Sequence, residues 1–138
     1  MKKIILFFVL GLFFSCKQSI SESDLKNLNG YWEIEKVELP DGDKKEYKVN
    51  ETIDFFKIES KNGFRKKVMP QLDGTYLTNN IQEEFEITVD NGDAVIQYKT
   101  KYASWKEEII ELTQDKLVVK NQQDLKYYYK RPAKFSIK

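Results

Sequence analysis

Catalysis near neutral pH needs side chains that can move a proton, hold a metal or attack a carbon, and this sequence supplies few. Histidine is absent and cysteine occurs once, at Cys16, which removes the commonest general base and any paired-thiolate zinc site. Carboxylates remain. Glu83, Glu84 and Glu86 form one group and Glu107, Glu108 and Glu111 a second, and two acids facing each other across a cleft are the equipment of glycoside hydrolysis. Alternation with Phe85 and Ile87 explains the first group as a solvated strand face; catalysis would need carboxyls such as Glu83 and Glu111 to converge. Asp41-Gly42-Asp43 and Asp90-Asn91-Gly92-Asp93 are too poor in acidic ligands for an EF-hand loop and read as hairpin turns. The residues therefore point to no enzyme, no metal and no cofactor. Arg65-Lys66-Lys67 is read as a solvated edge strand protected by lysines, with contact to lipid headgroups or an acidic partner as the alternative.

Binding is the other chemistry on offer. Aromatics make up 14% of the chain, and Phe56, Phe85, Ile87, Tyr98, Tyr102, Trp105, Tyr127 and Tyr129 are the candidates to line an apolar cup with a few hydroxyl anchors. The same side chains could instead fill a small barrel completely, and periodicity alone leaves both open. The formal charge is +1, and Lys2 and Lys3 lie in a segment expected to be removed. The remainder has no basic surplus of the kind that binds nucleic acid.

The elements that must carry these residues read as strands. Ser21 with Asp24 suggests a capping box for a short helical turn with Leu25 and Leu28 inward and Gly30 at its end. Beyond Gly30 the period changes to two. Strands are expected at 31–39, within 46–59, at 64–69 and 75–78, at 83–90, from Ala94 to Trp105, and at 106–113, 116–120 and 125–131. Ser60-Lys61-Asn62-Gly63 and Asn91-Gly92 mark hairpins. About eight to nine close-spaced strands without long crossovers require an antiparallel meander. A closed up-and-down barrel of about eight strands hides the edges, and a two-sheet sandwich is the alternative.

Before these elements, Lys2 and Lys3 precede the apolar run Ile4 to Phe14, which is shorter than the roughly 20 residues of a membrane-spanning helix and fits an export signal. Leu12-Phe13-Phe14-Ser15-Cys16 resembles the lipobox of bacterial lipoproteins, with Phe13 where an aliphatic residue is usual. The resemblance implies a signal peptide over 1–15, cleavage before Cys16 and acyl chains on that cysteine, whose burial would anchor the chain to a membrane. An ordinary cleaved signal and an uncleaved anchor are the alternatives. Lys17-Gln18-Ser19-Ile20 lacks the aspartate that retains enteric lipoproteins in the inner membrane, so the analogy implies the outer membrane of the cell envelope. Residues 16–24 are expected to form a flexible tether and 25–138 the single folded domain.

Gly30-Tyr31-Trp32, after a short helix and at the start of the first strand, resembles the Gly-x-Trp motif that opens lipocalins. The closing strands, through Tyr127-Tyr128-Tyr129-Lys130-Arg131, look like those of small lipocalin-like lipoproteins from Bacteroidetes-type bacteria. The resemblance covers about 25–132. It implies an eight-stranded barrel in which Trp32 plugs the closed end and Arg131 packs near it, and a small hydrophobic or amphipathic ligand as partner. A non-enzymatic protein-interaction module with a filled barrel is the competing expectation.

Overall fold

A computed structural model describes residues 17–47, 52–78 and 81–132. The expected signal segment and Cys16 lie outside these residues. Among them the chain forms one short helix and ten strands in a single sheet. Glu22–Leu28 is a 3-10 helix. The strands are β1 (Gly30–Glu38), β2 (Lys44–Glu46), β3 (Ile53–Glu59), β4 (Asn62–Pro70), β5 (Tyr76–Thr78), β6 (Glu83–Asp90), β7 (Asp93–Lys99), β8 (Ser104–Leu112), β9 (Lys116–Asn121) and β10 (Lys126–Lys130). Every pairing is antiparallel, and β1 meets β10 as well as β3, so eight of the strands close into a barrel. Closure excludes the sandwich. The three-residue strands β2 and β5 pair along β1 and β4 outside the ring.

Closure depends on β1 changing partner along its length. Gly30 to Trp32 pair with Phe56 to Asp54 of β3, whereas Glu33 to Glu38 pair with β10 across an irregularity between Ile34 and Lys36. Such a bulge bends a strand and raises its local twist, which lets one strand serve both neighbours. A second irregularity lies between Ile109 and Glu111 of β8.

Alternation decides what faces inward. At the end of the barrel nearest the helix, Phe56, Ile87, Ile96, Ile109, Leu117 and Val119 are buried together with Leu25, Leu28 and Trp32. Leu25 and Leu28 are three apart, and three residues make one turn of a 3-10 helix, so both drop onto the barrel mouth as a lid. Asp24 accepts a hydrogen bond from the Ser21 N–H at 2.9 Å, which fixes the start of the helix. Gly30 does not end it. Asn29 does, donating its backbone N–H at 3.2 Å and its side-chain amide at 3.3 Å to the Lys26 carbonyl and accepting the Ile58 N–H at 2.8 Å, while Gly30 opens β1 at a φ of 113° with Arg131 packed against it.

Three further expectations are corrected. The hairpin after β3 turns on Ser60-Lys61, with Ser60 at positive φ, and Gly63 lies inside β4. A Cβ there would sit 2.1 Å from the Lys57 carbonyl oxygen and 2.9 Å from the Phe85 ring. The strand expected from Ala94 to Trp105 is broken by a turn at 100–103, where the Thr100 N–H reaches the Ala103 carbonyl, so Trp105 belongs to β8. The tether expected over 16–24 is docked from Lys17 onward: Gln18 hydrogen-bonds Ile110 and Leu112, Ile20 is buried, and Lys17 pairs with Asp93 and Glu108.

Arg131 locks the closed end. Its guanidinium lies 3.6 Å from the centre of the Trp32 ring and donates to the carbonyls of Tyr31 at 3.0 Å, Asn27 at 2.8 Å and Gln114 at 2.7 Å. The Trp32 indole N–H donates to Leu28 at 2.9 Å. Helix, first strand, last strand and the β8–β9 turn thus share one side chain. Arg131→Ala is expected to cost about 2–4 kcal/mol of unfolding free energy in urea titrations. Arg131→Lys should recover little of it, because one ammonium cannot span three carbonyls.

Candidate functional site

The opposite half of the barrel has a different interior. Asp54 on β3, Arg65 and Lys67 on β4, Glu83 on β6 and Glu107 on β8 have the strand parity of inward residues such as Phe56, Phe85 and Ile109. Register brings them together. Asp54 lies directly across from Lys67, and Arg65 directly across from Glu83, the geometry in which cross-strand ion pairs form. The Lys67 ammonium stands 2.5 Å from Asp54 Oδ1. The Arg65 Nε and Nη2 atoms both reach Glu83 Oε1, at 2.8 and 2.7 Å.

Aromatic rings wall this cluster. Arg65 lies over the Tyr98 ring at 4.4 Å and donates to its hydroxyl at 3.3 Å. Trp105 stacks on the other residue of its cross-strand pair, Tyr98, at 5.2 Å. Glu107 is buried, and its Oε1 lies 3.7 Å from Arg65 Nη1, an ion-pair contact too long for a hydrogen bond. Asp54 Oδ1 and Glu107 Oε1 are thus buried oxygens whose cationic partners are Lys67 and Arg65.

Burial raises the pKa of Glu107 above its ordinary 4.5, against the smaller opposing pull of Arg65 and of the Tyr98 hydroxyl. Burial likewise pushes the Tyr98 and Tyr129 hydroxyls well above the usual tyrosine range, so both remain donors at neutral pH.

Above the filled half the barrel is hollow. A cavity of about 160 Å³ is lined by Trp32, Ile34, Thr52, Asp54, Lys67, Tyr127 and Tyr129. A second depression of about 250 Å³ lies beside it, sharing Thr52 and Lys67 and adding Met69, Leu77 and Thr78. A wider groove of about 500 Å³ runs between β4 and β6, where Lys66, Lys67 and Glu83 face Ile81, Lys101 and Tyr102. It opens because β4 pairs with β6 only over Asn62 to Arg65 and beyond that with β5. Lys67 borders all three spaces.

The residues expected to line a pocket divide. Tyr127 and Tyr129 do line the inner cavity. Tyr98 and Trp105 form the aromatic wall behind Arg65. Phe56, Phe85 and Ile87 are packed in the filled half. Tyr102 is not inward at all: it is 88% exposed on the turn at 100–103 and edges the outer groove. Gly30, Trp32 and Arg131 come together at the closed end as described, and Trp32 also lines the cavity.

The charged members of the site were expected outside. β4 is not an edge strand, lying between β3 and β6, and the Arg65 side chain is only 11% exposed. Glu84 and Glu86 are solvated, but Glu83 and Glu107 turn inward. Glu111 pairs with Lys116 at 3.5 Å and does not join Glu83, which meets Arg65 instead. The signal for Glu83 is parity itself, since it lies two and four residues from Phe85 and Ile87 and shares their face. No group of His, Cys, Asp and Glu suited to a metal is present among the described residues.

With this geometry in view, comparison with known proteins gives one decisive match: the model of the lipocalin-like domain family fits residues 28–119. The chain belongs to that family. Among solved structures, this lipocalin-like chain is similar to a lipocalin-like protein from Bacteroides uniformis ATCC 8492, with 11% identity, 77% of this chain and 99% of that one covered, and a TM-score of 0.49. It is also similar to an uncharacterized protein from Bacteroides eggerthii DSM 20697, with 12% identity, 76% and 99% coverage and a TM-score of 0.48. No curated protein matches it.

The raised pKa of Glu107 makes a prediction about stability. The folded chain holds this proton at a pH where the unfolded chain has lost it, so stability falls as pH rises from about 4.5 through the folded value and is level above it. Glu107→Gln removes that loss. In thermal melts, the melting temperature of the variant minus that of the parent should be larger at neutral pH than at about pH 4. An equal difference at both would show that Glu107 ionises freely in the fold.

Proposed function

We propose that this chain is an exported, lipid-anchored, non-enzymatic lipocalin-like protein that holds a small amphipathic molecule in the open half of its barrel. The cavity among Trp32, Ile34, Tyr127 and Tyr129 carries the proposal, because it joins apolar and aromatic walls to a few polar groups inside an otherwise filled barrel. The family match supports a ligand-binding barrel. Its mechanism would be passive: the rings desolvate the apolar part of the ligand, and the polar groups orient the rest. At about 160 Å³ the inner cavity has room for roughly five water molecules. A longer ligand would extend past Lys67 into the adjoining depression.

Anchoring rests on the sequence features around Cys16, with acyl chains there keeping the barrel at a membrane, the outer membrane by the residues that follow. Lys17 to Ile20 are docked on the barrel, so the lipid would sit close to the domain rather than on a long leash.

A second reading, a protein-interaction module, is favoured by one observation. Leu72, Leu77 and Ile81 are 71%, 57% and 69% exposed around the open half, and exposed apolar clusters mark contact surfaces.

Native mass spectrometry of the full chain purified from its own cells separates the two. A retained small molecule, lost in Tyr129→Ala and Tyr127→Ala, is expected; an empty barrel that stays empty against lipids and aromatic compounds would transfer the function to protein partners. For the anchor, Cys16→Ser should move the chain from the membrane fraction to the soluble fraction. Unchanged membrane association in that variant would remove Cys16 as the attachment point.

A further inference from the structure

We infer that the cavity selects a ligand with a hydrogen-bond-donating head group, a protonated amine on a short apolar body, which Asp54 receives. The inference rests on the small-ligand reading above and assigns its chemical class.

The buried carboxylates of this half are held by cations: Asp54 Oδ1 by the Lys67 ammonium at 2.5 Å and Glu107 Oε1 by Arg65 Nη1 at 3.7 Å. Asp54 is 3% exposed and lines the cavity. The Arg65 donors are engaged by Glu83 and Tyr98. From the mouth of the cavity Lys67 pairs with Asp54 at 2.5 Å, on a side chain that is 58% exposed. A flexible, solvated ammonium at the mouth is one that a ligand ammonium can displace outward.

Charge points the same way. Asp54, Glu83 and Glu107 bring three carboxylates into this half against the two cations Arg65 and Lys67. A ligand carboxylate would add another negative charge beside these buried carboxylates, which is costly in a low-dielectric interior. An ammonium can donate to Asp54 in place of Lys67 and balances the charge. The walls suit the rest of such a ligand: Trp32, Tyr127 and Tyr129 present rings, and Ile34 an aliphatic surface, and ring faces attract cations. The cavity volume of about 160 Å³ limits the enclosed part to a short chain or a single ring.

The test compares three probes of equal length, hexylamine, hexanol and hexanoate, titrated into the full chain and followed by the NMR signal of the Trp32 indole N–H, which reports on the cavity floor. Hexylamine should bind at least tenfold more tightly than the other two. Asp54→Asn, isosteric but uncharged, should weaken hexylamine roughly tenfold and leave hexanol within about twofold. Glu107→Gln, which removes the second carboxylate charge, should also weaken hexylamine, and hexanol binding by either variant certifies that its cavity is folded. If hexanoate or hexanol binds as tightly as hexylamine, the amine assignment is overturned while the ligand-binding reading stands. If hexylamine is preferred but Asp54→Asn leaves it unchanged, Asp54 is not the receiving group and the inference fails. Failure of all three probes to shift the indole signal would reject the cavity as a binding site, and the ligand-binding reading with it.

Discussion

One arginine against one tryptophan holds this barrel shut. Closing eight strands requires the first to pair with the last, and here β1 must also pair with β3, so its two ends are pulled toward different neighbours. The Arg131 guanidinium resolves the resulting gap by lying on Trp32 and bonding carbonyls of the helix, of β1 and of the β8–β9 turn. A planar group with a fixed fork of donors suits that task, since it satisfies several carbonyls at a single corner. Gly30 belongs to the same device: a Cβ there would crowd Arg131 Nη1 at 3.1 Å.

That closed end makes the open half affordable. Stability comes from the dense apolar core of the lower half, capped by Leu25, Leu28 and Ile20. The upper half removes charged groups from water, and buried ion pairs seldom recover their full desolvation cost. The raised pKa of Glu107 is a direct sign of that cost. A fold optimised only for stability would fill the cavity and replace Glu107 and Asp54 with apolar side chains.

The outer surface adds a separate layer. Tyr31, Phe55 and Phe64 face outward on neighbouring strands, and Tyr76 of β5 stacks on Tyr31 at 4.0 Å. The β4–β5 hairpin is thereby folded against the barrel wall, and its departure from β6 leaves the groove between β4 and β6. One aromatic stack thus shapes the entrance to the interior.

Much of this was legible in the sequence, for local reasons. Period-two alternation placed Phe85, Ile87 and Val89 on one face, the Asn91-Gly92 turn set the β6–β7 hairpin, and Gly30-Tyr31-Trp32 with Arg131 marked the closed end. Alternation also carries the parity of Glu83, but its charge favours a solvated face, and only the cross-strand pairing with Arg65 holds it inward. Tyr102 failed differently, since a turn at 100–103 interrupts the count and resets which side faces in. By itself the sequence determined the strands, their alternation and the antiparallel order, all set by neighbours a few residues apart. Tertiary structure alone decided closure over sandwich, the docking of Lys17 to Ile20, and which charges point inward. Those outcomes depend on register between strands distant in sequence, where a shift of one residue moves every side chain to the other face.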